Sequence, residues 1–300
     1  MNILLTGATG FIGTHLLPLL KSSNHNITAV VRAGAQLPLP CTLVEGDLCD
    51  HAVIDMLRTQ SEGVETVIHL AATMPAHSVA SENTEEMMHA NIVSTRNLLT
   101  SLPRSLCHMI LASSIDVYGS PHDLPIRESH PMLPATAYAQ SKIETERLAR
   151  IHCEERNIPL TILRFTHIYG PQEPAIKAIP LFVRKIAGGH APVLYGDGSD
   201  RRDYLYVTDA ADAIVCAIER VQHDIFNIAS GVSVTLKEVA ELLIELSGKS
   251  MTPHYAERRK QKVDIELDVS HARVSLKFSA ATPLRLGLAQ TYAWYLAQKQ

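Results

Sequence analysis

The chain has 300 residues, of which 46% are hydrophobic and 19% charged, and its formal net charge is −4. This composition is typical of a globular protein and excludes a disordered chain. The slightly acidic balance provides no basic surface for nucleic acid, so we expect no nucleic-acid partner. Chains of this length tend to form two cores, which predicts two lobes.

The N-terminal segment lacks the cationic start and the long apolar stretch of a secretory signal. No apolar run reaches the ~18–20 residues of a membrane helix, so we expect a cytoplasmic protein with no membrane contact. The five cysteines are scattered along the chain, and the histidines show no close ligand spacing. These patterns favour buried thiols over a disulfide framework or a metal site.

Short apolar runs alternate with helical patterns through the first half of the chain. The runs that predict strands are Asn2–Leu5, Ile27–Val31, Thr42–Val44, Thr66–Leu70, Met109–Ala112 and Leu160–Leu163. The helical patterns lie at about 12–20, 51–58, 84–101 and 138–156. Strands that are apolar throughout are buried on both faces, so this alternation predicts an α/β fold with a doubly wound parallel sheet.

A glycine-rich turn follows the first predicted strand, in the stretch Thr6–Gly13. Gly7 permits a tight turn, Gly10 lets the backbone approach a ligand, and Gly13 lets the next helix pack closely on the strand. The N–H groups and the dipole at the start of that helix favour a diphosphate. The strand–turn–helix context therefore predicts a dinucleotide site.

The second predicted strand ends at Val31, and Arg32 follows it. An acidic residue that binds the ribose hydroxyls of NAD commonly stands at the end of this strand. The guanidinium of Arg32 instead suits the ribose 2′-phosphate of NADP. We therefore expect NADP, with NAD as the alternative if Arg32 is a solvated arginine at a strand end.

Tyr138 and Lys142 lie four residues apart, on one face of a predicted helix. A neighbouring ammonium favours the phenolate, which predicts a lowered pKa for Tyr138 and a usable general acid/base. Ser113 and Ser114 end a buried strand, at the sheet edge where open α/β sheets bind ligands. A serine there is placed to hydrogen-bond a reacting alcohol or ketone, although two serines at a strand end also cap turns.

After residue 170 the pattern changes, because four prolines interrupt the chain before Gly196-Asp197-Gly198. A helical stretch at Val207–Glu219, a strand at Asp224–Ala229 and a helix at Thr235–Ser247 follow. We expect a smaller α/β lobe beside the sheet. The predicted division assigns residues 1–166 plus about 204–229 to a dinucleotide-binding domain, and residues 167–203 plus 230–300 to a substrate-binding lobe.

These motifs occur in an order that resembles the extended short-chain dehydrogenases, the NAD-dependent epimerase/dehydratase family. The resemblance covers nearly the whole chain and implies a Rossmann domain with a nucleotide sugar as substrate. The motifs are G-x-x-G-x-x-G from Gly7, H-L-A-A from His69, Asn91, S-S-x-x-V-Y-G from Ser113, Y-x-x-x-K from Tyr138, Leu163–Pro171, Gly196–Gly198, Arg202–Tyr204 and Tyr206–Asp209.

The resemblance also implies roles for individual residues. Ser114 is the catalytic hydroxyl, Tyr138 the acid/base, and Lys142 orients the nicotinamide ribose. The residues implied to bind the cofactor are Gly7, Gly10, Phe11, Ile12, Gly13, Arg32, Asp47, Leu48, Leu70, Ala71, Ala72, Asn91, Tyr138, Lys142 and Phe165. Those implied to bind substrate are Ser114, His167, Arg202 and, as a second grip on the diphosphate, Arg259 or its neighbour Arg258.

Two positions depart from the family pattern. Dehydratases of this family carry Thr-Asp-Glu before V-Y-G, whereas this chain has Ser114, Ile115 and Asp116. Isoleucine transfers no proton, which disfavours a dehydratase and leaves Asp116 as a turn-stabilising carboxylate. His167 replaces an asparagine, and its imidazole can become cationic near neutral pH. We expect it either beside the sugar or its phosphate, or packed at the strand end.

The sequence therefore predicts an NAD(P)-dependent nucleotide-sugar epimerase that oxidises and re-reduces one sugar carbon. An NADPH-dependent keto-sugar reductase is the alternative, because the same three catalytic residues serve both reactions. Retention of all three argues against a non-catalytic dinucleotide sensor. Segments 84–101 and 138–156 occupy the places where relatives pair two helices per subunit, so we expect a homodimer through a four-helix bundle.

Overall fold

A seven-stranded, wholly parallel sheet forms the larger lobe of the computed structural model, which describes residues 1–74, 84–121, 123–174, 177–258 and 261–298. The strand order is β3-β2-β1-β4-β5-β6-β10. The order reverses between β1 and β4, which is where such sheets bind ligands. The strands are β1 Asn2–Thr6, β2 Asn26–Val31, β3 Thr42–Glu45, β4 Thr66–His69, β5 His108–Ser114, β6 Leu160–Phe165 and β10 Asp224–Ile228.

Helices cover both faces of this sheet, and every residue of its central strands β4 and β6 is buried. One face packs against α1 (Phe11–Ser22) and α6 (Val207–Glu219), and the other against α2 (His51–Gln60), α3 (Thr84–Ser101) and α4 (Ala137–Arg156). The doubly wound α/β fold predicted from the sequence is therefore confirmed.

Two small sheets and three helices form the second lobe. One sheet has the order β11-β9-β7 and the other pairs β12 with β8. A separate apolar core lies between these strands and the helices. The strands are β7 His167–Tyr169, β8 Val193–Tyr195, β9 Arg201–Tyr206, β11 Ser233–Thr235 and β12 His254–Ala256, and the helices are α5 Ala178–Ala187, α7 Leu236–Ser247 and α8 Leu284–Ala297.

The chain passes from the large sheet to the small one at Thr166, the single residue between β6 and β7. Its backbone N–H donates to the Ile228 carbonyl at 3.0 Å, and its hydroxyl donates to the Asp203 carbonyl at 3.0 Å. These bonds join the ends of β6 and β10 to β9. The residue limits of the two lobes stay a prediction. The predicted limit at about residue 204 falls inside β9, which pairs with strands of the small sheet. Within the described ranges, no helix is both long and apolar enough to cross a bilayer.

Candidate active site

A cavity of about 620 Å³ opens at the carboxyl ends of β1, β4, β5 and β6. Parallel strands direct the residues that follow them towards this edge of the sheet, so distant parts of the sequence meet there. The lining includes the glycine turn, the β4 end at Leu70 and Ala72, the β5 end at Ser114, and Phe165 at the end of β6.

The turn between β1 and α1 requires glycine at two positions. Gly7 has φ +74°, and a Cβ added there would lie 2.8 Å from the Ala71 nitrogen. A Cβ on Gly13 would overlap the Gly7 carbonyl oxygen. The N-cap of α1 is Gly10, which has no side chain to bond the first N–H groups of the helix. These N–H groups are therefore available to a ligand. Phe11 and Ile12, at these positions, line the cavity.

A buried chain of hydrogen bonds fixes the end of β4 beside this turn. The Thr6 hydroxyl lies 2.7 Å from Nδ1 of His69, and Nε2 of His69 lies 3.0 Å from the Thr95 hydroxyl. The Ala71 N–H donates to the Thr6 oxygen at 3.2 Å. Burial, assisted by Lys142, lowers the pKa of His69 to about 3, so the imidazole stays neutral.

Asn91 holds the loop after β4 from the other side. Its side-chain oxygen accepts the Thr73 N–H at 2.7 Å, and its amide nitrogen donates to the Thr73 carbonyl and to the Ser141 hydroxyl, both at 3.1 Å. The Asn91 side chain is therefore engaged by the protein. The structure places it as a residue that positions the loop and α4 rather than as part of the cavity wall.

The three residues predicted to be catalytic meet in the cavity. The Ser114 oxygen accepts the Asp116 N–H at 3.1 Å, which caps the short helical turn 115–118. The Lys142 ammonium donates to the Ala112 carbonyl at 3.0 Å and lies 5.8 Å from the centre of the Tyr138 ring. Thr136 caps α4 just before Tyr138 by accepting the Ala139 N–H at 3.1 Å.

The charges around Tyr138 differ from the expectation. Burial, and then the Asp116 carboxylate, raise the pKa of the Tyr138 phenol, so the protein's own groups do not lower it. Burial also lowers the pKa of Lys142 to about 8, against the opposing effect of Glu146. The predicted lowering of the tyrosine pKa is therefore wrong for the protein alone, because burial and the nearby Asp116 carboxylate both disfavour the phenolate. Tyr138 is a neutral proton donor at pH 7.

Of the two adjacent serines, only Ser114 offers its hydroxyl for chemistry. The Ser113 hydroxyl donates to Glu146 in a buried cluster. Glu146 also accepts two bonds from Arg164, at 3.0 and 2.7 Å. The Arg164 guanidinium is 5.0 Å from the centre of the Tyr118 ring and donates to its hydroxyl at 2.9 Å.

A second cavity of about 500 Å³ adjoins the first and shares His167, Glu173 and Lys177 with it. Lys177 caps α5 without a side-chain bond, and Arg202 lines the same space. One Arg202 nitrogen donates to the Val263 carbonyl. Two cations and an uncapped helix start give this cavity the character of an anion site.

His167 lies at the junction of the two cavities. Its imidazole is not in the cationic form that the sequence allowed. Burial, with Arg202 and Lys177 nearby, lowers its pKa to about 3. The imidazole is therefore neutral at pH 7. Its ring lies 5.9 Å from that of Tyr204, centre to centre.

The other predicted contacts lie outside these cavities. The Arg32 side chain is exposed and makes no hydrogen bond or ion pair with the described residues, although the Arg32 carbonyl accepts the Ala35 N–H at 3.0 Å. Asp47 accepts the Cys49 N–H at 2.8 Å, and Leu48 is buried. Arg258 is bound to Asp197 and Asp200 at 3.0 and 2.8 Å, which removes it as a free grip on phosphate. Arg259 lies outside the described residues.

Sequence reasoning missed Glu173 and Lys177, which line both cavities. The available signal was their position, because both follow the β7 strand at the ligand-binding edge of the fold. Across the described parts of the chain, no three His, Cys, Asp or Glu side chains cluster as metal ligands. All five cysteines are free thiols.

Comparison with known proteins agrees with this architecture. The sequence profile of the NAD dependent epimerase/dehydratase family matches residues 3–229. A dTDP-glucose 4,6-dehydratase of an Actinoplanes species is 29% identical, over 100% of this chain and 99% of the relative. The UDP-glucose 4-epimerase of Thermotoga maritima, solved with UDP-glucose, is 26% identical with a TM-score of 0.90 and full coverage of both chains. MoeE5, solved with UDP-glucuronic acid and NAD, is 30% identical with a TM-score of 0.87, over 99% of this chain and 100% of its own.

The matched region exceeds half of the chain, so the protein belongs to the NAD-dependent epimerase/dehydratase family. It is an enzyme of the extended short-chain dehydrogenase type, as the order of its motifs predicted.

Proposed function

We propose that this enzyme is a nucleotide-sugar epimerase that oxidises one sugar carbon and reduces the same carbon from the opposite face. The observation that carries the proposal is the meeting of Ser114, Tyr138 and Lys142 beside the glycine turn, with an anion cavity adjoining. The turn suits a dinucleotide because Gly10 and the start of α1 line the cavity, where the first N–H groups of the helix can bind a diphosphate. Arg202, Lys177 and the start of α5 are suited to the diphosphate of a nucleotide sugar.

In this mechanism a dinucleotide held at the glycine turn and the start of α1 would supply the hydride-transfer chemistry at the sugar carbon. Ser114 hydrogen-bonds the reacting sugar oxygen, and Tyr138 exchanges the proton at that oxygen. The Lys142 ammonium is bound to the Ala112 carbonyl and faces the Tyr138 ring. This bond orients the start of α4 towards β5 and keeps a positive charge near the phenol. In the oxidation step Tyr138 must act as the phenolate that accepts the sugar hydroxyl proton, and in the return step the resulting phenol gives that proton back to the ketone oxygen.

Position 115 favours epimerisation over loss of water. Ile115 is buried in an apolar cluster and has no proton to transfer. Asp116 is the one carboxylate of the turn that lines the cavity, and its N–H is bound to Ser114. A dehydratase needs an acid and a base at this turn, whereas this chain provides a single carboxylate.

For the cofactor, we propose NADP rather than NAD, because Arg32 is exposed at the end of β2 and no acidic residue precedes it. The same residue favours the alternative function, an NADPH-dependent keto-sugar reductase. Arg32→Asp should weaken NADPH binding about tenfold or more while NADH binding improves or holds, as followed by fluorescence titration. Equal losses for the two cofactors would contradict the preference.

We also propose a homodimer formed by α3 and α4. Apolar side chains on these two helices divide between core and surface: Met87 on α3 is buried, and Ile151 on α4 is 43% exposed. Exposed apolar area on a helix of this pair supports an interface between two copies.

The function is tested with a panel of UDP- and dTDP-sugars, incubated with and without added NADPH. Conversion to a stereoisomer without net cofactor consumption is the expected result. Strict dependence on NADPH consumption would instead indicate the reductase.

Tyr138→Phe removes the proton-transferring hydroxyl, so turnover should fall at least about a hundredfold while cofactor binding is retained. Unchanged turnover in this variant would exclude Tyr138 as the acid/base.

A further inference from the structure

Two buried polar atoms at the junction of the cavities have no hydrogen-bond partner among the residues that the structure describes. They are Oε2 of Glu173 and Nδ1 of His167. Glu173 is 9% exposed, and both residues line the first and second cavities. Buried polar groups in folded proteins are normally hydrogen-bonded, so two unpartnered groups facing one space point to a ligand that completes them.

The two groups are electrically neutral at pH 7 despite their titratable chemistry. Burial raises the pKa of Glu173 to about 8, although Lys177 and a bond to the Gly170 backbone lower it. Burial lowers the pKa of His167 to about 3. A protonated carboxyl and a neutral imidazole each offer one donor and one acceptor, which is the pairing capacity of sugar hydroxyls.

Glu173 and His167 lie between the catalytic residues and the anion cavity, where the sugar of a nucleotide sugar would be. Ser114 and Tyr138 lie in the first cavity, and Arg202 lines the second, while Glu173 and His167 belong to both. If the reacting carbon is beside Tyr138 and the diphosphate is beside Arg202, the remaining sugar atoms lie against this pair. This step rests on the proposed function.

We propose that Glu173 and His167 form a hydroxyl-binding subsite that selects an uncharged sugar over a hexuronate. A hexuronate carboxylate in the first cavity would face the Asp116 carboxylate, and the neutral Glu173 and His167 provide no positive charge to balance it. The Lys142 ammonium is committed to the Ala112 carbonyl at 3.0 Å. Lys177 is shared with the anion cavity, where the diphosphate takes its charge.

Binding of five ligands separates the contact with the sugar from the contact with the nucleotide. Dissociation constants for UDP, UDP-glucose and UDP-glucuronic acid, and for dTDP and dTDP-glucose, are measured by calorimetry on the cofactor-loaded enzyme. The intact protein should bind UDP-glucose or dTDP-glucose at least about tenfold more tightly than UDP-glucuronic acid. Glu173→Ala should weaken sugar-nucleotide binding about tenfold and leave the bare nucleoside diphosphate unchanged.

Two variants serve as controls. Glu173→Gln keeps a neutral hydrogen-bonding group and should retain binding within about threefold. Lys177→Ala should weaken the bare diphosphate and the sugar nucleotide alike. Tight binding of UDP-glucuronic acid to the intact enzyme, or equal effects of Glu173→Ala on diphosphate and sugar nucleotide, would overturn the subsite. Failure to bind any nucleotide or sugar nucleotide would instead overturn the proposed function, on which the subsite rests.

Discussion

Glu173 makes stability depend on pH. Its folded-state pKa of about 8 lies above the ordinary 4.5. The folded chain keeps this proton where the unfolded chain releases it, so the stability contribution is full below pH ~4.5 and is lost as pH rises through ~8. In that window the loss is about 1.4 kcal/mol per pH unit. Glu173→Gln does not ionise, so its melting temperature should exceed that of the unmodified protein by a margin that grows towards pH ~8.

The matched control for that measurement is Glu62→Gln, because Glu62 is exposed in the turn after α2. Its difference in melting temperature from the unmodified protein should be small at every pH. A pH-independent difference for Glu173→Gln would mean that the carboxyl is ionised in the folded protein.

Single residues also mark the limit of what the sequence predicts at the site. Ser114, Tyr138 and Lys142 were predictable because their spacing is set within one strand end and one helix. Glu173 was not, because its significance comes from burial between two lobes and not from spacing. The neutral state of His167 likewise depends first on its burial and then on Arg202 and Lys177, which the fold brings beside it.

At the scale of elements, a buried ion pair ties α4 to β6. Arg164 and Glu146 are each 2% exposed and lie 2.7 Å apart. Arg164→Met would strand the Glu146 carboxylate in the interior, so we expect a loss of about 3–5 kcal/mol in the free energy of unfolding, measured by urea denaturation. Because Glu146 also accepts the Ser113 hydroxyl beside Ser114, turnover should fall in the folded variant.

The comparison pair is Arg58 and Asp55, whose side chains are 57% and 74% exposed. Arg58→Met should cost less than about 1 kcal/mol, because water screens an exposed pair. Equal costs for the two arginine variants would show that the Arg164 pair is also solvated.

The elements of the large lobe were predictable within about two residues because long apolar strands and amphipathic helices are local patterns. The pattern at 84–101, for example, is α3 at Thr84–Ser101. In the small lobe, the helix predicted at Thr235–Ser247 is confirmed as α7 at Leu236–Ser247, whereas the short strands were not predictable. Strands β7, β8, β11 and β12 are three residues each, too short for a period, and β8 pairs with β12 from a distant part of the chain.

At the scale of the whole molecule, the proposed dimer interface is formed by α3 and α4. Ile151 lies on α4 and is 43% exposed, on the face of the large lobe that α3 and α4 share. In a four-helix interface it would be covered by the partner copy, so Ile151→Asp would bury a charge there at high cost. We expect this variant to elute as a monomer in size-exclusion chromatography with light scattering, whereas the unmodified chain elutes as a dimer. Val274→Asp, at a position 65% exposed outside these helices, should leave the dimer intact. A dimer that survives Ile151→Asp would place the interface elsewhere.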